Sequence, residues 1–209
     1  LPASVDFGLY PHLQSVDVRL TVAGLPRAKA SALLDRLERA FRARVGAAVY
    51  GVGDDALEAV IGRRLRARRL RLAVAESCTG GLVSDRLTDV PGSSAYLLGS
   101  VVAYHNAVKQ RLLGVSEAIL GRHGAVSAPA ARAMAVGVRR ALASDVGLAI
   151  TGIAGPSGGT PRKPVGLVFL AVSDGRRSVG RRCQFHGDRE AVKHQAAQLA
   201  LDLLRRFLG

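Results

Sequence analysis

The chain has 209 residues, 48% of them hydrophobic, with no Trp and 4% aromatic content, so its core must be built from Ala, Val and Leu, as strand–helix layers are. A formal charge of +14 points towards nucleic acid, but only four of the 30 basic residues are lysines, and the arginines are spread over several predicted helices without interleaved aromatics. That spacing describes an arginine-biased surface and disfavours a nucleic-acid partner; no apolar run approaches the ~18 residues of a membrane span, so no membrane partner and a cytoplasmic location are expected.

Residues 1–15 carry Pro2, Gly8 and Pro11 and no clear period, which predicts an irregular entry. Val16–Val22 alternates apolar and polar residues, the pattern of a half-buried strand. Gly24 and Pro26 then open a helix with Ala30, Leu33, Leu34, Leu37 and Phe41 at helical spacing and Gly46 at its end. Residues 47–52 read as a second short strand. The expectation is a small β-α-β segment over residues 1–52, followed by a domain over residues 53–209.

Asp55 with Glu58 resembles a capping box for a helix lined by Leu57, Val60, Ile61 and Leu65. Residues 72–75 predict a buried strand, and it runs into Glu76-Ser77-Cys78-Thr79-Gly80-Gly81 and then a helix. Ser77 therefore falls at a strand's carboxyl end, the edge where parallel α/β sheets bind ligands. Residues 97–104 predict the next strand, and a short helix over 107–113 carries Lys109. Ser127 and Pro129 begin a helix with Ala131, Met134, Ala135, Val138 and Leu142 on one face. Residues 146–151 form a strand that meets a second glycine cluster, and residues 154–164 form a long polar loop of the kind that is functional or mobile. Residues 165–173 and 179–186, joined at Asp174-Gly175, predict an antiparallel hairpin. Asp188 caps a closing helix. The fold class is α/β: a mixed, mostly parallel sheet with flanking helices.

Neither glycine cluster has the Gly-Lys-Ser/Thr end of a P-loop or a dinucleotide fingerprint, and Ser77 lacks the flanking glycines of a hydrolase elbow. The histidines are scattered, so no metal site is expected, and Cys78 and Cys183 are too few for a disulfide framework. A serine becomes a nucleophile only when a base takes its proton. A lysine made neutral by burial, a histidine or a carboxylate can serve. Lys109 lies just beyond the strand end that carries Tyr104, which could bring both near Ser77. Read alone, Glu76 is a surface acid and Cys78 a small buried residue. Two other readings stand beside the serine chemistry: a cysteine hydrolase using Cys78 with His105 or His123, and a catalytically silent binding domain with a basic surface.

Seven motifs in order carry a resemblance: Ala75-Glu76-Ser77-Cys78-Thr79-Gly80-Gly81, Gly92-Ser93-Ser94, Tyr104 with Asn106 and Lys109, His123-Gly124-Ala125-Val126-Ser127, Thr151-Gly152-Ile153-Ala154-Gly155-Pro156, Lys163-Pro164-Val165-Gly166 and Gly187-Asp188-Arg189. Over residues 54–209 the chain resembles the C-terminal domain of the CinA (competence/damage-inducible) family, a domain that also occurs alone as the bacterial nicotinamide-nucleotide amidase. Residues 1–52 look like the tail of the region preceding that domain. The resemblance implies hydrolysis of nicotinamide mononucleotide to nicotinate mononucleotide and ammonia, without cofactor or metal. By position it makes Ser77 the nucleophile, Lys109 its base and Tyr104 a hydrogen-bonding partner, with Thr151 near the reacting group. Thr79, Gly80, Gly81, Gly152, Ala154, Gly155 and Arg189 would bind substrate, the first three through amides at the start of the following helix that face the oxyanion, and the Gly152–Gly155 backbone with Arg189 as the anion-binding amides and cation for the nucleotide phosphate. The expected partners are a small nucleotide substrate and a second copy of the chain in a homo-oligomer.

Overall fold

The structure, a computed structural model, describes residues 2–12 and 15–209, and divides into two compact units, Leu1–Val52 and Gly53–Gly209. In the first, strand β1 (Val5–Pro11) pairs antiparallel with β2 (Val16–Val22), so that Val5, Phe7 and Leu9 face Val22, Leu20 and Val18 across the ladder. Helix α1 (Arg27–Val45) follows and ends at Gly46, whose φ of +64° suits glycine. A 3-10 turn, Gly46–Ala48, comes next.

The segment is therefore β-β-α, not β-α-β. Residues 5–11, predicted irregular, form a strand because their apolar positions alternate and match those of β2 across the ladder, which outweighs Gly8 and Pro11. Residues 49–52, predicted as a strand, join no sheet: β2 is paired with β1, and the turn after Gly46 redirects the chain. Leu1, Leu13 and Gln14 of the predicted entry segment lie outside the described residues.

In the second unit, α2 (Leu57–Ala67) precedes β3 (Leu72–Glu76), α3 (Leu82–Thr88), β4 (Leu97–Val102), α4 (Asn106–Leu113), α5 (Glu117–His123), α6 (Ala128–Ala141), β5 (Val146–Gly152), β6 (Leu167–Ser173), β7 (Ser178–Gln184) and α7 (Arg189–Leu208). The sheet order is β4-β3-β5-β6-β7. β3 is parallel to β4 and β5, while β6 is antiparallel to both of its neighbours, so four of the five strands run the same way. Side-chain alternation divides the core into two layers. Ala73, Ala75, Ala149 and Ala171 pack under Met134, Ala135 and Val138 of α6. Leu72, Val74, Leu148 and Ile150, one residue out of phase, are buried on the opposite face, where α7 crosses β5 and β6 and touches α2 and α3.

Small residues let the α6 layer sit close. A Cβ on Gly137 would lie 1.9 Å from the Leu113 carbonyl oxygen at the end of α4, and one on Gly147 would lie 2.1 Å from that of Ala135. Ser127 and Asp188 cap α6 and α7 through the amides of Ala130 and Ala191, as their positions predict. The capping box at Asp55 does not form. Ala56 is the N-cap of α2, Asp55 pairs with Arg63 at 2.7 Å, and Glu58 is drawn to Arg86 of α3.

Candidate active site

The alternation that sorts the core also sorts the chemistry. Continuing the Ala73–Ala75 side of β3 brings Ser77 to the face of α4, and continuing the Ala149 side of β5 brings Thr151 to the same layer. Glu76, out of phase, faces α3.

Lys109 Nζ lies 3.1 Å from Ser77 Oγ, and donates to the carbonyl oxygens of Ala103 at 2.6 Å and Tyr104 at 3.2 Å. Lys109 is 1% exposed and Ser77 7%. Burial holds the Lys109 ammonium below the usual lysine range, opposed in part by the Cys78 thiol. A neutral amine has two N–H bonds and one lone pair. Two carbonyls take the first two, and the remaining direction is the one that reaches Ser77.

Glu76 is fully buried and is no surface acid. Its carboxylate accepts from the amides of Gly81, Val83 and Ser84 at 3.0, 3.1 and 2.9 Å, and from Ser84 Oγ at 2.6 Å. It thus fills the positive end of α3 from inside the fold. The oxyanion donors expected from the helix start are consequently engaged: Gly81 serves Glu76, and the Gly80 amide donates back to the Ser77 carbonyl. The Cys78 amide is directed at its own thiol. Thr79 Oγ1 is buried without a partner.

The second glycine cluster closes the site from β5. A Cβ on Gly152 would meet Val168 at 2.6 Å and Cys78 Sγ at 3.1 Å, so only glycine lets the two strand ends approach this closely. Thr151 Oγ1 donates to the Ala125 carbonyl at 2.9 Å, tying β5 to the α5–α6 junction. Ala154 is buried. The Arg189 guanidinium donates to the Gly155 carbonyl and to the Tyr104 hydroxyl, each at 2.8 Å, although Tyr104 itself is 60% exposed. The long loop is held from its other end by Lys163, whose Nζ donates to the carbonyls of His123 and Val126 at 2.6 and 2.8 Å.

The alternative nucleophile is poorly placed. Burial pushes the Cys78 thiol up to about 12, which keeps it protonated at neutral pH. His105 Nδ1 accepts from the Ala107 amide as the cap of α4. Among the described residues no group of His, Cys, Asp and Glu could hold a metal ion, and no helix is long and apolar enough to cross a membrane.

The family described as the CinA C-terminal domain matches residues 54–208 of this sequence. The chain belongs to the CinA family. It is 48% identical over 206 residues to a CinA-like protein of Syntrophus aciditrophicus, covering 98% of this chain and 49% of that protein. A CinA-like protein of Salinibacter ruber is 50% identical over 205 residues, covering 98% and 50%. The chain thus spans about half the length of the curated relatives it matches. Among solved structures it resembles a CinA superfamily protein of Klebsiella pneumoniae, with a TM-score of 0.70 and 35% identity over 73% of this chain and 95% of that one. A competence or damage-inducible protein of Enterobacter asburiae gives a TM-score of 0.71 with 30% identity over 75% and 100%.

Sequence reasoning missed two residues that organise this CinA-family site. Glu76 could have been read from an acid standing just before a Gly-Gly helix start. Lys163 carries no local signal, since its partners lie 37 and 40 residues away.

Proposed function

We propose that this domain is a cytoplasmic, metal-independent amidohydrolase that deamidates nicotinamide mononucleotide to nicotinate mononucleotide and ammonia. The observation that carries the reading is the buried Lys109 amine 3.1 Å from the Ser77 hydroxyl. In the neutral form, Lys109 Nζ takes the Ser77 proton while Oγ attacks the carboxamide carbon. The C=O electron pair moves to oxygen, where backbone amides of the turn after Ser77 would receive it, each worth roughly 3–4 kcal/mol if aligned. Lys109, now an ammonium, returns its proton to the leaving nitrogen as the C–N bond breaks, and ammonia departs. Water, deprotonated by the same amine, attacks the resulting ester and restores the Ser77 hydroxyl.

Ammonia release from nicotinamide mononucleotide tests this directly. Ser77→Ala should reduce the rate about 10⁴-fold or more, as loss of a covalent nucleophile does. Equal rates in the two proteins would eliminate the serine mechanism.

A further inference from the structure

Arginines that are scattered along the sequence converge in the fold. Helix α2 leads into β3 and α6 into β5, and α7 runs back past the sheet from Arg189, so the carboxyl ends of all three helices meet at the sheet end opposite Ser77, beside the β6–β7 turn. Contacts join them into one surface. Arg64 and Arg68 at the end of α2 donate to the carbonyls of Arg205 and Gly209 at the close of α7, and Arg177 of the turn donates to that of Phe207. Arg71 donates to the Ala143 carbonyl after α6, and the Arg139 guanidinium lies 2.6 Å from where a Cβ on Gly175 of the turn would stand.

These contacts satisfy helix-end carbonyls, as cations there do, but they neutralise no charge. Of the aspartates at this end, Asp145 pairs with Arg71 at 3.5 Å and Asp202 with Arg205 and Arg206 at 2.6 Å each. Asp174 accepts from the amides of Arg176 and Arg177 and lies 3.8 Å from the Arg177 guanidinium, and Asp89 closes α3. Arg69, Arg140 and Arg176 remain: each is exposed, and among the described residues none has a side-chain partner in an acid or a carbonyl. Arg69 moreover stands in the left-handed region, at a φ of +54°, where glycine would sit without strain. Burial and then the charges of Arg205 and Arg68 hold the Arg64 guanidinium below its ordinary range, the mark of like charges kept close.

We infer that this end of the domain binds the sugar–phosphate backbone of a nucleic-acid duplex without regard to base sequence, with Arg69, Arg140 and Arg176 as the cations that reach it. Helices α6 and α7 lie on opposite faces of the sheet, so arginines at their ends stand about 20 Å apart, at ~10 Å per packed layer. A duplex carries one negative charge per ~1.7 Å of its axis, so roughly a dozen phosphates fall within that span. No lysine belongs to the set, and guanidinium forks grip phosphate oxygens in pairs. No exposed aromatic side chain stands on these elements, so the stacking that holds single strands is missing. The surface lies away from Ser77, and the inference goes beyond the amidase reading without depending on it.

The test is fluorescence anisotropy with labelled duplexes of about 30 base pairs, one of DNA and one of RNA, between about 50 and 200 mM salt. The wild type should bind, with affinity falling steeply as salt is added. The triple variant Arg69→Gly, Arg140→Gln, Arg176→Gln should bind about tenfold or more weakly at the lowest salt, and its slope of log affinity against log salt should be shallower by about two to three. A second triple variant, Arg111→Gln, Arg122→Gln, Arg162→Gln, removes the same charge from exposed positions on α4, α5 and the long loop and should lose less than about threefold. The duplex that binds more tightly identifies the partner as DNA or RNA. No binding by the wild type, equal losses in the two triple variants, or tighter binding of a single strand than of the duplex would each overturn the inference. So would binding to anionic phosphatidylglycerol vesicles that is lost in the first variant while its duplex binding is kept. Ammonia release by the wild type is read in parallel: if it is absent while duplex binding is lost in the first variant, the amidase reading alone falls.

Discussion

Lys109 and Lys163 make the same backbone contacts in two different places. Each amine donates to two carbonyls, Lys109 at the junction of β4 and α4, Lys163 from the long loop to the α5–α6 junction. Only Lys109 is 1% exposed, and only Lys109 has a hydroxyl at the remaining corner of its nitrogen. Lys163 is therefore a cation that satisfies helix-end carbonyls, as basic residues near helix C-termini do. Carbonyl contacts orient an amine in both regions. Burial and a third neighbour are what make one of them a base.

Substitution at both sites tests that distinction. Lys109→Met should lower ammonia release by about 10²–10⁴-fold and cost about 1–3 kcal/mol of stability, since the Ala103 and Tyr104 carbonyls lose their donor, offset in part by the apolar chain that replaces the buried amine. Lys163→Met should lower turnover by less than about tenfold and cost about 1 kcal/mol of stability, measured by denaturant titration, through two carbonyls left without a donor. Equal losses of activity in the two variants would abolish the contrast.

The pH dependence sharpens it further. Lys109 acts as a neutral amine, so the rate should rise with pH through a value below the ~10.4 of an ordinary lysine, and this limb should vanish in Lys109→Met. Stability follows the same group. With its folded-state pKa lowered, the unfolded chain binds more protons between that value and ~10.4, so the Lys109 contribution increases as pH rises across this window and is level above it. A rate limb centred near 10.4 would mean that burial does not tune the amine. The smaller effect is expected at Glu76→Gln, which keeps the shape but loses half of the acceptors for three amides and a hydroxyl. It should cost about 1–3 kcal/mol in thermal unfolding and slow turnover through displacement of the Ser77 turn.

How much of this was legible in the residues depended on distance along the chain. The strands around Ser77, the hairpin at Asp174-Gly175 and the helices capped by Ser127 and Asp188 announced themselves through local period and local caps. The proximity of Ser77 to Lys109 followed from parallel topology, since the β3 and β4 carboxyl ends must lie side by side. What failed was competitive. Residues 5–11 carry both turn formers and an alternating apolar pattern, and only the register with β2 decides between them. Asp55 and Glu58 had the spacing of a cap, but arginines at 63 and 86 offered charged partners instead. Helix α5 is short, yet Ser116 and Glu117 signal its start, and Ser116 does accept from the Ile119 amide. The commitment of the α3 amides to Glu76 could not be read from composition, because nothing local says which way a carboxylate turns.

The glycines at 137 and 147 have an outcome for catalysis. Through them α6 rests directly on peptide groups of β5 and on the end of α4, the helix that bears the amine. The seat of the helix that carries the amine is thereby gauged by main-chain thickness, a dimension shared by every amino acid. Exchange of outer side chains leaves that gauge unaltered, whereas a single methyl at Gly137 would press α6 against the end of that helix.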